Sequence, residues 1–485
     1  HRMTNLSDLF PAGAGKQVSF VASGTLSNGQ AVALKSDGTV EAVAQGGPSA
    51  DTPVTFNSAT SVDISATFDS ANNKVVISYQ DGGNSSYGTA IVGTVSGTSI
   101  SFGTAVVFES APISVTSATY DSANDKIVIA YGDSGNSSYG TAIVGTVSGT
   151  AISFGTAVVF ESATASYFSA TYDATNNKVV IAYKDHGNSE YGTAIVGTVS
   201  GTAISFGTAV VFESAECLYI AATYDSTNNK IVIAYRDAPN SAYGTSIVGT
   251  VSGTAISFGT AVVFENAMAS YIAATYDSTN NKIVISYKDN GNSDYGTAIV
   301  GTVSGTAISF GTAGVFESAN SMYISSTFDS NLNKIVIAYQ DVGNAGYGTA
   351  IVGTVSGTAI SFGSPTVFES ATSNFNSAIY DSANNKVVIA YSDNGNLDYG
   401  TSVVFQTVST NNTDFIGITD AAISSAASGN VTIKGGIAVN GLSSLTPGSD
   451  YYVQADGTIS TVSTSPAVKI GKAMSATSIN LEYQS

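Results

Sequence analysis

The dipeptide Tyr-Gly recurs at Tyr87, Tyr139, Tyr191, Tyr243, Tyr295, Tyr347 and Tyr399, at an invariant interval of 52 residues. Seven copies without insertion or deletion require each unit to meet its neighbours in the same way, as in a solenoid or a closed ring. In the third copy, Tyr167-Phe-Ser-Ala-Thr-Tyr-Asp173, Lys178-Val-Val-Ile-Ala-Tyr-Lys184, Tyr191-Gly-Thr-Ala-Ile-Val-Gly-Thr-Val199 and Ala203-Ile-Ser-Phe-Gly-Thr-Ala-Val-Val-Phe212 read as four strands, a to d. Asn, Gly, Asp and Ser clusters separate them, and no segment has helical periodicity with caps.

Four antiparallel strands in about 50 residues, repeated four to eight times, are the pattern of a β-propeller blade. Small residues (Ala66, Ala118, Ala170, Ala222, Ala274, Ser326, Ala378) suit strand a to the crowded axis. The ends decide between ring and solenoid. The last copy stops after strand c, and Thr52-Pro-Val-Thr-Phe56-Asn-Ser-Ala59 aligns with Thr156-Ala-Val-Val-Phe160-Glu-Ser-Ala163. The first strand is therefore expected to complete the last blade, closing a seven-bladed all-β propeller without open edges.

Residues 49–411 are assigned to the propeller. Residues 3–48 and 412–485 share a strand–Asp-Gly–strand pattern at Gly38 and Gly457, and are expected to form one discontinuous β-rich module. Met3 is the expected start, and no signal-peptide pattern opens the chain. Phe415-Ile-Gly-Ile-Thr-Asp, Val431-Thr-Ile-Lys-Gly-Gly, Leu445-Thr-Pro-Gly-Ser-Asp-Tyr-Tyr-Val453 and Val468-Lys-Ile-Gly-Lys-Ala-Met-Ser resemble the C-terminal module of tailed-bacteriophage virion proteins. That family includes tail fibres and capsid-decoration proteins. The resemblance implies a virion-surface location, a virion-attachment role for the module and other virion proteins as partners. It also implies a homo-oligomer if the protein is a fibre, and it carries no catalytic residue.

Charged residues make up only 11% of the chain and the net charge is −19, which disfavours nucleic acid as a partner. No apolar run is long enough for insertion into a membrane. Cys217 is the only cysteine, so no intrachain disulfide forms. His186 is the only histidine beyond His1, and there is no Trp. These counts argue against a multi-histidine metal site, a nucleophile-elbow hydrolase and a Trp-bearing sialidase turn. No cofactor or metal is expected. The repeated Asp81-x-x-Asn84 loops read as Ca²⁺ or sugar sites, or as carboxamides and carboxylates satisfying turn N–H groups. Asp69 and Lys74, with their counterparts, are expected to pair across the a–b turn.

The copies differ mainly in the d–a crossover and the b–c loop, which emerge on one face. There, three successive blades carry Lys184, Arg236 and Lys288, with His186 beside them and Tyr167, Tyr219 and Tyr271 at matching crossover positions. This sector is the candidate ligand patch, suited to glycan or an acidic polymer through stacking, hydrogen bonds and charge. Its alternative is structural, with tyrosines plugging the channel and basic groups neutralising neighbouring acids. The functional expectation is a non-enzymatic virion surface protein adhering to host-surface glycan or another envelope component. Capsid decoration and a weak glycan hydrolase are the other readings.

Overall fold

β-Branched runs punctuated by turn residues give each unit four antiparallel strands in the computed structural model, which describes residues 16–44, 46–408, 411–463 and 467–482. In the third blade, strand b is Lys178–Asp185 and strand c is Tyr191–Ser200. Strand b pairs with c in continuous register from Val179↔Gly197 to Asp185↔Tyr191. Its run from Val179 to Tyr183 is buried throughout, because neighbouring blades cover both faces of the sheet.

Strand d departs from the sequence expectation in two ways. It begins as Ala203–Phe206, breaks at Gly207, and resumes in Val210–Asp225. A Cβ on Gly207 would lie 2.0 Å from the Thr254 carbonyl oxygen in the next blade, so the break is where two blades touch through backbone. The d–a crossover is also not a free loop. Thr193↔Val211 joins the start of Val210–Asp225 to one blade, and Thr223↔Val232 joins its end to the next. Between them, Glu216 pairs with Tyr191 and Cys217 with Asp237, so the ends of strands c and b satisfy the crossing backbone.

The ring closes as its permuted ends require. Val54–Asp69 pairs with the last strand c, Tyr399–Gln406, through Gly400↔Asn57, Thr401↔Thr55 and Ser402↔Val54. Ser49–Ala50 extends that pairing to Phe405 and Gln406. Seven apolar clusters then fill the seven interfaces between blades, including the one joining Val388 and Val404 to Ile77 and Tyr79.

Polar groups repeat these contacts. A buried strand-b tyrosine in six blades donates its hydroxyl to the Glu of the preceding d segment, as in Tyr183–Glu161 at 3.1 Å and Tyr287–Glu265 at 2.8 Å. At the closing interface Asn57 replaces that Glu, and the buried Tyr79 hydroxyl of the first blade has no partner among the described residues. At the axis, a serine of one strand a accepts from the next, as in Ala170 N to Ser117 Oγ at 2.9 Å and Ala66 N to Ser377 Oγ at 2.9 Å.

The a–b turn corrects another expectation. Asp69 and Lys74 are ladder partners, but the carboxylate folds into the turn instead of pairing with the lysine. Its Oδ1 accepts from the Ala71 and Asn72 amides and its Oδ2 from Asn72 Nδ2. An N–H donor two residues away needs less side-chain ordering than a long lysine stem.

The second unit takes residues from both ends of the chain. Its first sheet runs Gln17–Val21, Ser428–Ile433, Phe415–Thr419, Ala31–Leu34, Val40–Ala42. Its second runs Ile437–Ala438, Ser478–Leu481, Val468–Ser475, Asp450–Val453, Ile459–Ser460. Each contains one Asp-Gly hairpin, with Gly38 at φ +83° and Gly457 at φ +82°.

Two outcomes are expected. Phe56 packs on Tyr79 and Phe102 at centroid distances of 5.2 and 5.8 Å, as Phe212 packs on Tyr235 and Phe258 at 5.3 and 5.8 Å. Phe56→Ala and Phe212→Ala should therefore cost the same, about 3–5 kcal/mol by denaturant titration. A markedly smaller cost at Phe56 would mean that the joining strand is loosely held. Burial also raises the phenol pKa of all seven strand-b tyrosines. The folded protein keeps these protons while the unfolded chain releases them near pH 10, so stability falls as pH rises past about 10. Circular dichroism against pH should show alkaline unfolding, and a stability flat to about pH 12 would contradict it.

Candidate functional site

Strand a starts with a β-bulge in every blade. In the third, Ser166 pairs with Lys184 and Ser169 with Ala182, leaving Tyr167 and Phe168 opposite Tyr183 alone. An extra residue bends a strand and re-aims its side chains. The first bulge residue is left-handed in all seven blades: Asp63, Val115, Tyr167, Tyr219, Tyr271, Tyr323 and Phe375, at φ from 41° to 53°. That conformation costs a non-glycine residue roughly 1–2 kcal/mol. Its recurrence in every copy makes it part of the architecture.

The two bulge residues of each blade line one axial cavity of about 230 Å³. Five of the seven first positions are aromatic and form a continuous arc. Ring centroids are 5.6 Å apart for Tyr167–Tyr219, 5.2 Å for Tyr219–Tyr271, 5.2 Å for Tyr271–Tyr323 and 5.0 Å for Tyr323–Phe375. The rings are tilted by 49–58°, so they overlap like shutter leaves instead of stacking flat. Burial, reinforced by the neighbouring phenols, pushes the Tyr271 pKa to about 12. Burial also raises Tyr167 and Tyr323. At neutral pH these hydroxyls are protonated and both donate and accept.

Asp63 and Val115 occupy the remaining first positions. Asp63 Oδ2 accepts from the Val115 amide at 3.0 Å, and burial holds its carboxyl above the usual range. Beside Phe375, Asn376 donates Nδ2 to the Tyr323 carbonyl at 3.2 Å.

The residues singled out from sequence separate into two groups. Tyr167, Tyr219 and Tyr271 are consecutive members of the arc, and the Arg236 guanidinium lies over the Tyr219 ring at 4.9 Å from its centroid. Arg236 Nη1 reaches Ser270 Oγ at 3.4 Å, while the buried Nε has no partner among the described residues. Lys184 and Lys288 are instead committed internally. Lys184 Nζ lies 2.8 Å from Glu190 and 2.9 Å from Glu216, and Lys288 Nζ lies 3.2 Å from Asp294. Burial pulls the Lys184 pKa down, but the two carboxylates outweigh it and the net direction is up. These partners are loop and crossover acids, not members of the repeated Asp series.

His186 Nε2 is 2.9 Å from Ser166 Oγ, and its Nδ1 is 3.6 Å from Glu190. This resembles a nucleophile–base–acid chain. Two blades on, however, Ser270 donates to Asn290 at 2.9 Å and Asn290 to Asp294 at 2.6 Å, the same chain without a base. The arrangement braces the b–c loop. The Asp of four b–c loops acts similarly, as where Asp185 Oδ1 accepts from the Asn188 amide and Asp289 Oδ1 from the Asn292 amide.

Tyr323, Phe375, Asp63 and Asn376 were not singled out from the sequence. Their signal was present in the register of copies, since they occupy the same two bulge positions as Tyr167 and Phe168.

No protein-family model and no curated protein sequence matches the chain. Solved structures share its architecture. The BP39L lectin from Burkholderia pseudomallei is 9% identical with a TM-score of 0.52, covering 78% of this chain and 99% of that one. The SapL1 lectin, solved with alpha methyl fucoside, is 14% identical with a TM-score of 0.41, covering 64% and 97%. The Mitotic Checkpoint Complex contains a chain 8% identical with a TM-score of 0.47, covering 74% and 95%. At such identities the likeness to BP39L is one of fold, and the two scores below 0.5 carry no argument.

Proposed function

We propose that the protein is a non-enzymatic adhesin whose propeller binds surface glycan at the axial mouth and the loops around it. The observation that carries this reading is the arc of five aromatic rings with four phenol hydroxyls around an open cavity. Sugar C–H faces pack on such rings, while phenols and the Arg236 guanidinium supply hydrogen bonds and charge. A propeller fold shared with a protein named as a lectin is consistent with this class.

Glycoside hydrolysis requires two carboxylates flanking the bond. The cavity is lined by one, Asp63, which supports binding over turnover. The resemblance of residues 415–475 to tailed-phage modules supports display on a virion surface, with the terminal module contacting other virion proteins. The same resemblance covers capsid-decoration proteins, for which attachment to shell, not tail, is the distinguishing result.

A glycan array with intact protein, Tyr271→Ala and Arg236→Ala tests the adhesin reading. Bound glycans should weaken about tenfold or more with Tyr271→Ala, as expected for an aromatic anchor. Absence of binding, binding unchanged by both substitutions, or release of reducing ends from a bound polysaccharide would overturn it.

A further inference from the structure

We propose that the axial cavity is a binding site for a protonated primary amine, held between the Asp63 carboxylate, the Asn376 amide oxygen and the faces of the aromatic arc. This goes beyond glycan adhesion: it shares the aromatic arc with that reading and adds Asp63 and Asn376 as the groups that hold the ligand.

Asp63 is the one carboxylate lining the cavity. Among the described residues one donor, the Val115 amide, reaches its side chain, at 3.0 Å from Oδ2. No lysine, arginine or histidine pairs with it among the described residues. A half-buried carboxylate without a counter-ion is costly unless a cation supplies the missing charge.

Asn376 provides an independent observation in the adjoining blade. The residue is 8% exposed, lines the same cavity, and its Oδ1 has no hydrogen-bond partner. Its orientation is fixed by chemistry: Nδ2 faces the Tyr323 carbonyl, which only a donor can satisfy. The orphan is therefore an acceptor. Two acceptors in neighbouring blades, one of them anionic, call for a ligand rich in donors and positive charge. An alkylammonium has three N–H donors, and its charge is also attracted to the faces of Tyr323 and Phe375.

The nearby cations do not take this role. Lys184 is held by two glutamates. Arg236 lies on the Tyr219 face, three blades around the ring from Asp63. The blades of Asp63 and Asn376 each break the repeat at one bulge position: Asp63 stands where four copies have Tyr, and Asn376 stands where four copies have Ile.

The test uses the intact chain and propylammonium chloride, with propan-1-ol as the neutral isostere. The chain has no Trp, so its intrinsic fluorescence is that of its 26 tyrosines, among them the four of the arc. Propylammonium should give a saturable change that propan-1-ol does not. Asp63→Asn, which retains an acceptor for the Val115 amide, should weaken binding about tenfold or more, and Asn376→Leu should weaken it severalfold. Thermal unfolding of each variant checks that the ring is intact. Glucosamine and N-acetylglucosamine distinguish the source. Binding of glucosamine alone, with the same Asp63 dependence, assigns the amine to an amino sugar, whereas propylammonium without glucosamine assigns it to a free alkyl amine. No saturable response to propylammonium, or a response unchanged in both folded variants, would overturn the proposal. Either result leaves the glycan-array outcome independent.

Discussion

The pairing of residues 54–57 with residues 399–402 is the constraint on which the propeller depends. Each blade contacts only its two neighbours, so an open array would leave a bare strand c at one end and an unpartnered strand a at the other. Exposed edges of this kind invite association with other chains. Closure removes both and completes the seventh interface, where residues from opposite ends of the repeat share one apolar cluster. The uniform period has the same origin. A one-residue slip in any strand would exchange its two faces and misplace every contact beyond it. The backbone approach of Gly207 to Thr254 leaves little room for such a change.

The crossing between blades determines where function can be placed. The crossing chain is bonded to the ends of strands b and c, then bulges at a left-handed residue before descending as strand a. Seven such bulges bring fourteen side chains to one axial cavity. The scaffold holds the backbone of these positions, so their side chains can vary without unmaking the ring. Tyr and Phe in five consecutive blades form an apolar wall, while Asp63 and Asn376 provide a polar sector. A repeat that copies its strands closely can thus be asymmetric at its axis.

Much of this was legible in the sequence, because strand content, turn chemistry and the permuted ends are local or periodic signals. The continuity of d into a was not, since Glu216-Cys-Leu-Tyr219 lacks strand alternation and its ladder partners lie in strands of two blades. The expected Asp69–Lys74 pair does not form, because adjacency in a ladder does not determine which donor a carboxylate takes. At the site, Tyr167, Tyr219 and Tyr271 were visible beside their basic loop residues. Tyr323 and Phe375 lacked such neighbours and were passed over. The engagement of Lys184 with Glu190 and Glu216 could not be read, because Glu216 is 32 residues away, on the crossing that leaves the same blade.

Amide hydrogen exchange across the closing strand tests the central claim, that the first strand locks the ring into one cooperative body. Protection at residues 54–57 and 399–402 should match that at the equivalent residues 210–213 and 191–194 within the array. Rapid exchange at the junction, with protection retained in the interior blades, would contradict closure and the shared axial site that depends on it.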